Sequence, residues 1–270
     1  MHDIKIIMSD VDGTLLNDHG HVSKRTIDAI KKARAQGLIF GLASGRDIES
    51  SEGFYKAWGI EGLVDVFVGE TGAHIKNYRL GIDEKAPTMS RENVKSIIEH
   101  FQDLPVNFMV TSNGCFYLTS LKNFDLFFNK IGKVNYKIIS NEELLQEEIN
   151  KIHIICHQHI IPLVIERNKS FDHPETLGTQ TADTVYEYIN AESSKSNGLR
   201  KVIEMDNMSF ENLLVFGDAD NDVTMLTDSK IGVVMANGTP LAKSVADYIT
   251  EDNNHDGIAV FLEKYILNQR

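Results

Sequence analysis

Five short apolar runs limit the fold of this chain more than any other feature of its sequence. They occupy residues 4–8, 38–43, 64–68, 213–216 and 231–235, and each is followed by polar or small residues. The runs are almost continuously apolar rather than alternating, which is typical of strands buried on both faces of a parallel sheet. We therefore expect these runs to form the central strands of one sheet.

Helical patterns follow several of these runs. Ser23 is a suitable N-cap for a helix that places Ile27, Ile30 and Ala33 on one face. Residues 258–266 carry apolar side chains at helical spacing near the end of the chain. The alternation of strands and helices predicts an α/β fold with a doubly wound, Rossmann-like parallel sheet.

The middle of the chain has a different pattern. Four of the five prolines lie there. Asn113-Gly114 predicts a hairpin turn between two strands, and Ser140 with Glu143 predicts a helix that starts with a capping box. This mixture predicts an α+β module. Its strand-like runs lie at residues 137–139, 152–156, 163–165 and 185–189.

The strand pattern of the first segment resumes after this module, so we predict two domains. The core domain is discontinuous and occupies residues 1–82 and 190–270. The inserted domain occupies residues 83–189. A length of 270 residues lies between that of one large domain and two small ones, which agrees with an insertion.

Acidic residues collect where two of the predicted strands end. Asp10 and Asp12 follow the first run, and Asp218 and Asp222 follow the fourth. The ligand crevice of an open α/β sheet lies at the carboxyl ends of its strands, so these carboxylates are expected to meet there. Like charges so close together need a cation. Oxygen ligands without nearby His or Cys favour Mg²⁺. One such acidic loop alone would be interpreted as an ordinary turn, but two of them, each directly after a buried strand, favour a metal site.

Two further features indicate phosphate binding. Ser44, Gly45 and Arg46 follow the second run and lead into a predicted helix, where a hydroxyl and free backbone amides can hold an anion. Lys195 lies just before a helical pattern, near the return from the inserted module. Alone, this lysine would be interpreted as a surface residue.

In chain order, these segments resemble the four motifs of the haloacid dehalogenase superfamily of phosphotransferases. Details such as His255-Asp-Gly-Ile-Ala resemble the Cof-type sugar-phosphatase branch, which carries a large α/β cap of class IIB where this chain has its inserted module. The resemblance therefore implies a catalytic core and a substrate-specificity cap. The four matching segments are Asp10-Val-Asp-Gly-Thr-Leu, Ser44-Gly-Arg, Lys195 and Gly217-Asp-Ala-Asp-Asn-Asp.

The resemblance also implies catalytic and metal-binding roles. Asp10 is the expected nucleophile, which forms an aspartyl-phosphate, and Asp12 is the expected general acid and then base. Mg²⁺ is the expected cofactor, and its implied ligands are Asp10, the backbone carbonyl of Asp12, and Asp218. Asp222 is expected to orient either Asp218 or Lys195 without binding the metal itself.

The phosphate-binding residues follow from the same resemblance. The non-transferring phosphoryl oxygens are expected to be held by fixed donors, because phosphoryl transfer depends mainly on positioning and charge stabilisation. Arg46 is expected either to contact the substrate or to pair with an acid of the core. The expected phosphate-binding residues are Val11 (amide), Ser44, Gly45 (amide), Lys195 and Asn221.

Other polar and aromatic residues are given a structural interpretation. His153, His157 and His159 are interpreted as strand or loop residues rather than metal ligands, because no acidic partner is apparent for them. Trp58 is interpreted as part of a helix face rather than as a stacking platform. Thr71 stands where many relatives of the branch have Asn.

Composition excludes several classes of partner. The net charge of −12 argues against binding to nucleic acid or to an anionic membrane. Two cysteines are too few for a disulfide framework, and no run approaches the ~20 apolar residues of a membrane span. We expect a cytoplasmic protein, a monomer or small homo-oligomer, whose partner is a small phosphorylated metabolite.

The predicted function is therefore a Mg²⁺-dependent phosphatase that hydrolyses small phosphomonoesters, in particular sugar phosphates. One alternative is a sugar phosphomutase similar to the phosphomannomutases, which returns the phosphoryl group to sugar. Another is a non-catalytic sensor of phosphate ligands. A sensor has no need of both Asp10 and Asp12, so the two acids favour an enzyme.

Overall fold

The computed structural model describes residues 3–86, 88–112, 115–123, 135–147 and 149–269. The chain divides into two compact units. The first runs to Lys85 and resumes at Ser194, and the second is Ala86–Ser193. The predicted domain boundaries lie between residues 82 and 83 and between residues 189 and 190. Both fall within strands, Ile82–Lys85 and Val185–Asn190, and each of these strands pairs within one sheet. The division of roles between a catalytic core and a specificity cap stays a prediction.

The secondary structure alternates between strands and helices in the first unit and is more mixed in the second. The strands are β1 (Ile6–Ser9), β2 (Ile39–Ala43), β3 (Val66–Gly69), β4 (His74–Asn77), β5 (Ile82–Lys85), β6 (Asn107–Ser112), β7 (Cys115–Leu118), β8 (Tyr136–Ile138), β9 (Lys151–Ile155), β10 (Thr176–Ala182), β11 (Val185–Asn190), β12 (Leu213–Gly217), β13 (Ile231–Val234) and β14 (Tyr248–Ile249). The α-helices are α1 (Lys24–Ala35), α2 (Ile48–Glu52), α3 (Tyr55–Trp58), α4 (Arg91–Phe101), α5 (Asn141–Leu144), α6 (Ile161–Asn168), α7 (Lys195–Met205), α8 (Val223–Asp228), α9 (Pro240–Val245) and α10 (Gly257–Tyr265). Short 3-10 turns lie at Glu70–Gly72, Gln158–Ile160, Phe210–Asn212, Asp220–Asp222 and Leu267–Gln269.

The first unit contains an eight-stranded sheet in the order β14-β13-β12-β1-β2-β3-β4-β5. Strands β14 to β3 are parallel, and β4 and β5 add an antiparallel edge. The predicted doubly wound parallel sheet is confirmed. The sequence did not indicate the β4-β5 edge, because β5 reads Ile-Asp-Glu-Lys and is largely exposed rather than apolar.

The central strands are buried on both faces, which explains their continuous apolar runs. In β1, Ile7 packs into one apolar layer, while Ile6 and Met8 pack into the layer on the opposite face. Helix α1 covers the first layer and buries Ala29, Ile30 and Ala33. As predicted, Ser23 is its N-cap and accepts a hydrogen bond from the Thr26 amide.

The second unit contains a six-stranded, mostly antiparallel sheet in the order β10-β11-β9-β6-β7-β8. Helices α4 and α6 pack on one face of this sheet and form its apolar core. The predicted capping box of Ser140 and Glu143 is present at the start of α5. Strands β6 and β7 pair antiparallel, as a hairpin requires, but Asn113-Gly114 lies outside the described residues.

One prediction about this unit is wrong, and one premise of another does not hold, although His153 does lie on a strand, as predicted. Residues 163–165 are not a strand but part of helix α6, which has Pro162 in its first turn. Ile161 and Val164 are buried at helical spacing, whereas Leu163 and Ile165 are exposed, so the apolar run is the side of a helix. His153 also has an acidic partner, because its Nδ1 lies 3.1 Å from a carboxylate oxygen of Glu187 on β11.

Among the residues that the structure describes, none of the helices combines the length and the apolar character needed to cross a membrane.

Candidate active site

Two acidic loops meet at the carboxyl ends of β1 and β12. Asp10 directly follows β1, and Asp218 directly follows β12. The two strands are parallel neighbours, with Ser9 paired to Phe216. The Asp10 amide extends this pairing by donating to the Phe216 carbonyl at 2.9 Å. The parallel pairing therefore brings together two loops that are about 200 residues apart in sequence.

Lys195 joins the acids of both loops. Its Nζ donates hydrogen bonds to Oδ1 of Asp10 and to Oδ1 of Asp222, each at 2.5 Å. Lys195 and Asp222 are fully buried, and Asp10 is 6% exposed. Helix α7 sets the position of the lysine, because it begins at Lys195 with Ser194 as its N-cap. Lys195 is therefore a buried member of the site rather than a surface residue.

The charges of this cluster shift the pKa values of its members. Burial raises the pKa of Asp10 well above its usual value; Lys195 opposes this shift, and the nearby Asp222 and Asp218 add to it. Burial by itself would lower the pKa of Lys195, but Asp10 and Asp222 hold it above its ordinary value. Lys195 therefore stays positively charged in an otherwise acidic environment.

Asp218 is held by residues of the first acidic loop. Thr14 Oγ1 donates to Asp218 Oδ1 at 2.6 Å. Burial raises the pKa of Asp218 to about 6; the hydrogen bond from Thr14 opposes this, and repulsion by Asp222 adds to it. Gly13 has a φ of +77°, and a Cβ there would lie 2.5 Å from Asp218 Oδ2. Glycine is therefore required where the two loops touch.

Asp222 orients both of its neighbours. Its Oδ1 accepts from Lys195, while its Oδ2 accepts the backbone amides of Asp218 and Ala219, each at 2.9 Å. The sequence left open whether Asp222 supports Asp218 or Lys195, and the structure has it in contact with both. Because each of its oxygens is already hydrogen-bonded, Asp222 is better suited to orientation than to metal ligation.

The acidic cluster fits a divalent cation. Carboxylate oxygens of Asp10 and Asp218 lie within 4.8 Å of each other, close enough to share one cation, and an oxygen of the orienting Asp222 lies within the same distance of both. Oxygen ligands of this kind suit Mg²⁺. Burial first, and then repulsion by neighbouring acids, raise the pKa values of Asp10 and Asp218, and a bound cation would favour the ionised form of both.

Asp12 and Arg46 form an ion pair beside this cluster. Nε and Nη2 of Arg46 donate to the two carboxylate oxygens of Asp12, each at 2.7 Å. The hydrogen bonds to Asp12 raise the pKa of Arg46. Of the two options for Arg46, the structure therefore has the pairing with a core acid. The guanidinium carbon of Arg46 also lies 5.5 Å from the ring centroid of Trp58.

The loop that carries Ser44 is fixed by backbone hydrogen bonds. The Ser44 amide donates to the Val68 carbonyl at 2.8 Å, and its carbonyl accepts from the Thr71 amide at 3.0 Å. Ser44 Oγ accepts from the Arg46 amide at 3.2 Å, so the hydroxyl itself can donate to an anion. Gly45 is half-buried between these two residues.

The described contacts say less about the other residues that are predicted to bind phosphate. The side chain of Val11 is buried in the core, and Asn221 is exposed on the turn Asp220–Asp222. Their contacts with phosphate, like those of Ser44 and Gly45, stay predictions.

Sequence reasoning missed several residues that support the site. Thr14 lies within the first motif, so its hydroxyl could have been proposed as a support for Asp218. The contact between Trp58 and Arg46 had no signal in the sequence. The same holds for Gly72, where a Cβ would lie 2.0 Å from the Ser194 carbonyl oxygen, next to Lys195.

Comparison with known proteins identifies the family. Residues 7–262 match the family model of the haloacid dehalogenase-like hydrolases. The chain belongs to this family. This match confirms the predicted family. Together with the relatives described next, it also confirms the predicted enzyme class, a haloacid dehalogenase-type phosphatase.

Two curated relatives align over almost the whole chain. A protein of Streptococcus pyogenes serotype M6, provisionally named a phosphatase, is 28% identical over 98% of this chain and 99% of its own length. The 5-amino-6-(5-phospho-D-ribitylamino)uracil phosphatase YitU of Bacillus subtilis is 26% identical over 96% of this chain and 97% of its own.

A solved structure shares the fold of this hydrolase. It is a sugar phosphatase of haloacid dehalogenase subclass IIB, with a TM-score of 0.83 at 20% sequence identity. The alignment covers 97% of this chain and 99% of that one. The described residues of both units therefore have the fold of a known phosphatase structure.

Proposed function

We propose that this hydrolase is a Mg²⁺-dependent phosphatase that cleaves small phosphomonoesters, in particular sugar phosphates, through an aspartyl-phosphate on Asp10. The observation that carries the proposal is the buried contact of Lys195 with Asp10 and Asp222. It combines a nucleophile, a fixed positive charge and an orienting acid at the carboxyl end of β1. This combination suits transfer of a phosphoryl group to a carboxylate.

Asp10 is the proposed nucleophile. Lys195 donates to its Oδ1, so within the described part of the chain Oδ2 is the oxygen left to attack phosphorus. The bond from Oδ2 to phosphorus forms as the bond from phosphorus to the ester oxygen breaks. In the second step, water attacks phosphorus, inorganic phosphate leaves and the carboxylate of Asp10 is restored.

Asp12 is the proposed general acid and base. In the first step its carboxyl group gives a proton to the departing alkoxide, and in the second its carboxylate takes a proton from the attacking water. Its side chain is 60% exposed, unlike that of the buried Asp10, and therefore has access to substrate and water. The different burial of the two acids supports different roles for them.

The proposed ligands of Mg²⁺ are Asp10, Asp218 and the backbone carbonyl of Asp12. Bound Mg²⁺ would neutralise negative charge on the phosphoryl group and so allow attack by an anionic carboxylate. Thr14 and Gly13 keep Asp218 close to the first loop. The Asp222 carboxylate holds Asp218 in place by accepting a hydrogen bond from the Asp218 backbone amide.

The proposed phosphate-binding residues would supply hydrogen-bond donors to the phosphoryl group. Lys195 contributes a buried positive charge, and Ser44 contributes a hydroxyl on a loop fixed at both sides. The amides of Val11 and Gly45 and the side chain of Asn221 complete the proposed set. Such donors stabilise the transition state because they are already oriented before the reaction.

The proposed substrate class draws on the relatives. One curated relative carries the name of a phosphatase acting on a phosphorylated ribitylamino compound, and one structural neighbour is a sugar phosphatase. Both names describe phosphate esters of polyhydroxylated carbon chains. We propose the same class for this chain, with the second unit as the specificity domain, and retain the expectation of a cytoplasmic enzyme.

The proposal is tested by phosphate release from a panel of phosphorylated metabolites in the presence of Mg²⁺. Wild-type protein should release inorganic phosphate from sugar phosphates, and Asp10→Asn should reduce the rate at least about 10⁴-fold because the nucleophile is lost. Removal of Mg²⁺ with a chelator should also stop turnover. Circular dichroism would show that the variant retains its fold.

The same panel distinguishes the alternatives. An isomerised sugar phosphate without net phosphate release would indicate a phosphomutase, and ligand binding without turnover would indicate a sensor. Substantial turnover by Asp10→Asn would exclude Asp10 as the nucleophile.

A further inference from the structure

The guanidinium group of Arg46 is held between an acid and an aromatic ring. On one side, it makes two parallel hydrogen bonds to the Asp12 carboxylate, each at 2.7 Å. On the other side, its central carbon lies 5.5 Å from the ring centroid of Trp58. Trp58 is 5% exposed and belongs to the apolar core of the first unit. The arginine therefore connects the core to the side chain of Asp12.

The backbone of Arg46 is fixed as well. Its amide donates to Ser44 Oγ at 3.2 Å, and its carbonyl accepts from the Glu70 amide at 2.9 Å. Trp58 is in turn held by Phe54, whose ring stacks on it at 5.7 Å with an angle of 17° between the ring planes. Both ends of the arginine are thus attached to rigid parts of the fold.

Asp12 needs such support more than Asp10 does. Asp10 is buried and held by Lys195, whereas the Asp12 side chain is 60% exposed. An exposed carboxylate samples several rotamers, and proton transfer requires one defined direction toward the reacting oxygen. A bidentate arginine fixes the carboxylate plane in a way that a single hydrogen bond or a lysine does not. Stacking on Trp58 limits the movement of the guanidinium group.

We propose that Arg46 and Trp58 are positioning residues that set the direction of the Asp12 carboxylate for the step in which it takes a proton from the attacking water, with Trp58 acting through Arg46. The inference rests on the proposed role of Asp12 as general acid and base. It adds a support for that role that extends from the catalytic loop to an aromatic residue of the core. The competing interpretation is that Arg46 binds substrate directly and Trp58 is only a packing residue.

The two interpretations differ in which step of the reaction they affect. With p-nitrophenyl phosphate, the leaving group departs without a proton, so formation of the aspartyl-phosphate does not need Asp12 as an acid. Hydrolysis of that intermediate still needs Asp12 as a base. Misplacement of Asp12 should therefore slow the second step and spare the first. Loss of a substrate-binding arginine should slow the first step or raise KM.

The test is rapid mixing of the Mg²⁺-loaded enzyme with p-nitrophenyl phosphate. For Arg46→Lys, we expect the first-turnover rate of nitrophenolate release to stay within about twofold of wild type, while steady-state turnover falls roughly tenfold to a hundredfold, a part of the general-base contribution. A burst of one nitrophenolate per active site should appear. Trp58→Leu should show the same pattern with a loss of roughly threefold to tenfold.

Two variants control for structural damage. Trp58→Phe keeps an aromatic face and should recover most of the turnover lost in Trp58→Leu. Leu63→Ala removes a buried side chain from the same apolar cluster as Trp58; it should lower the free energy of unfolding and leave both rates near wild type. These comparisons separate support of Arg46 from general loss of packing, and they remain informative if Trp58→Leu folds poorly.

The contradicting results are equally defined. Equal slowing of both steps, or a raised KM, in Arg46→Lys would overturn the proposal in favour of substrate binding. Unchanged turnover in both Arg46→Lys and Trp58→Leu would also overturn it. If wild-type enzyme releases no nitrophenolate, the proposed function itself fails, and this is seen before any variant is compared.

Discussion

Each unit of the molecule contains a largely buried cluster of charged side chains. In the first unit one lysine contacts two acids, whereas in the second unit one acid contacts a lysine and a histidine. In the first unit, Lys195 lies between two acids, Asp10 and Asp222, which come from separate loops. In the second unit, Glu187 faces two basic groups. The Lys151 ammonium lies 3.5 Å from its carboxylate, and His153 lies 3.1 Å from it.

The charge balance of each cluster explains its effect on pKa. Burial raises the pKa of Asp10, and Asp222 and Asp218 raise it further despite Lys195. Burial also tends to raise the pKa of Glu187, but Lys151 and His153 together hold it well below its usual value. The first cluster has an excess of negative charge that a cation can balance. The second is balanced by its own residues, as expected for a structural ion pair.

The geometry separates the clusters in the same way. Strands β9 and β11 pair His153 directly with Glu187, so one strand register is enough to form the second cluster. The first cluster requires two strand ends and the start of helix α7 to meet at one point. A buried ion pair is therefore not by itself a sign of an active site. Excess charge at the end of parallel strands is the better indication.

The largest expected difference between the clusters is in catalysis, and it is tested by matched lysine variants. Lys195→Met should lower phosphate release roughly a thousandfold, because a fixed positive charge at the transferring group is lost. Lys151→Met should leave the rate within about twofold of wild type and lower the free energy of unfolding by about 1–3 kcal/mol. Steady-state kinetics and urea unfolding measure the two effects. Similar kinetic losses in both variants would remove the distinction.

A smaller effect is expected in the acid stability of the second cluster. Because the folded-state pKa of Glu187 is lowered, its ion pairs stabilise the protein above the unfolded-state pKa of about 4.3, and this contribution is lost as the pH falls below that value. Glu187→Gln should therefore reduce the change in unfolding free energy between pH 6 and pH 3 by about 1–2 kcal/mol. Urea unfolding at several pH values measures it. An unchanged pH dependence would mean that Glu187 has no lowered pKa.

The sequence predicted the central fold and the acids of the site for a physical reason. Strands buried on both faces must be apolar throughout, so β1, β2, β3, β12 and β13 could be recognised. The acids at their ends are then brought together by the parallel pairing, whatever the distance along the chain. The order of the four motifs gave the family from the same residues.

Features that depend on register or on side-chain direction could not be predicted. His153 and Glu187 meet only because of how β9 pairs with β11, so the sequence gives no sign of their contact. The pairing of Arg46 with Asp12 was one of two open options, because the guanidinium group of an arginine can bind either a substrate or an acid of the core. Residues 163–165 were misassigned because a short apolar run alone does not distinguish a strand from one side of a helix.

The central claim is that Asp10 in the first cluster carries the phosphoryl group. It is tested by quenching the enzyme in acid during turnover with Mg²⁺ and a phosphomonoester, followed by borohydride reduction and peptide mass spectrometry. An aspartyl-phosphate at Asp10 would be reduced to homoserine at that position, and we predict this conversion in wild type and its absence in Asp10→Asn. Homoserine at another position, or none while phosphate is being released, would contradict the account.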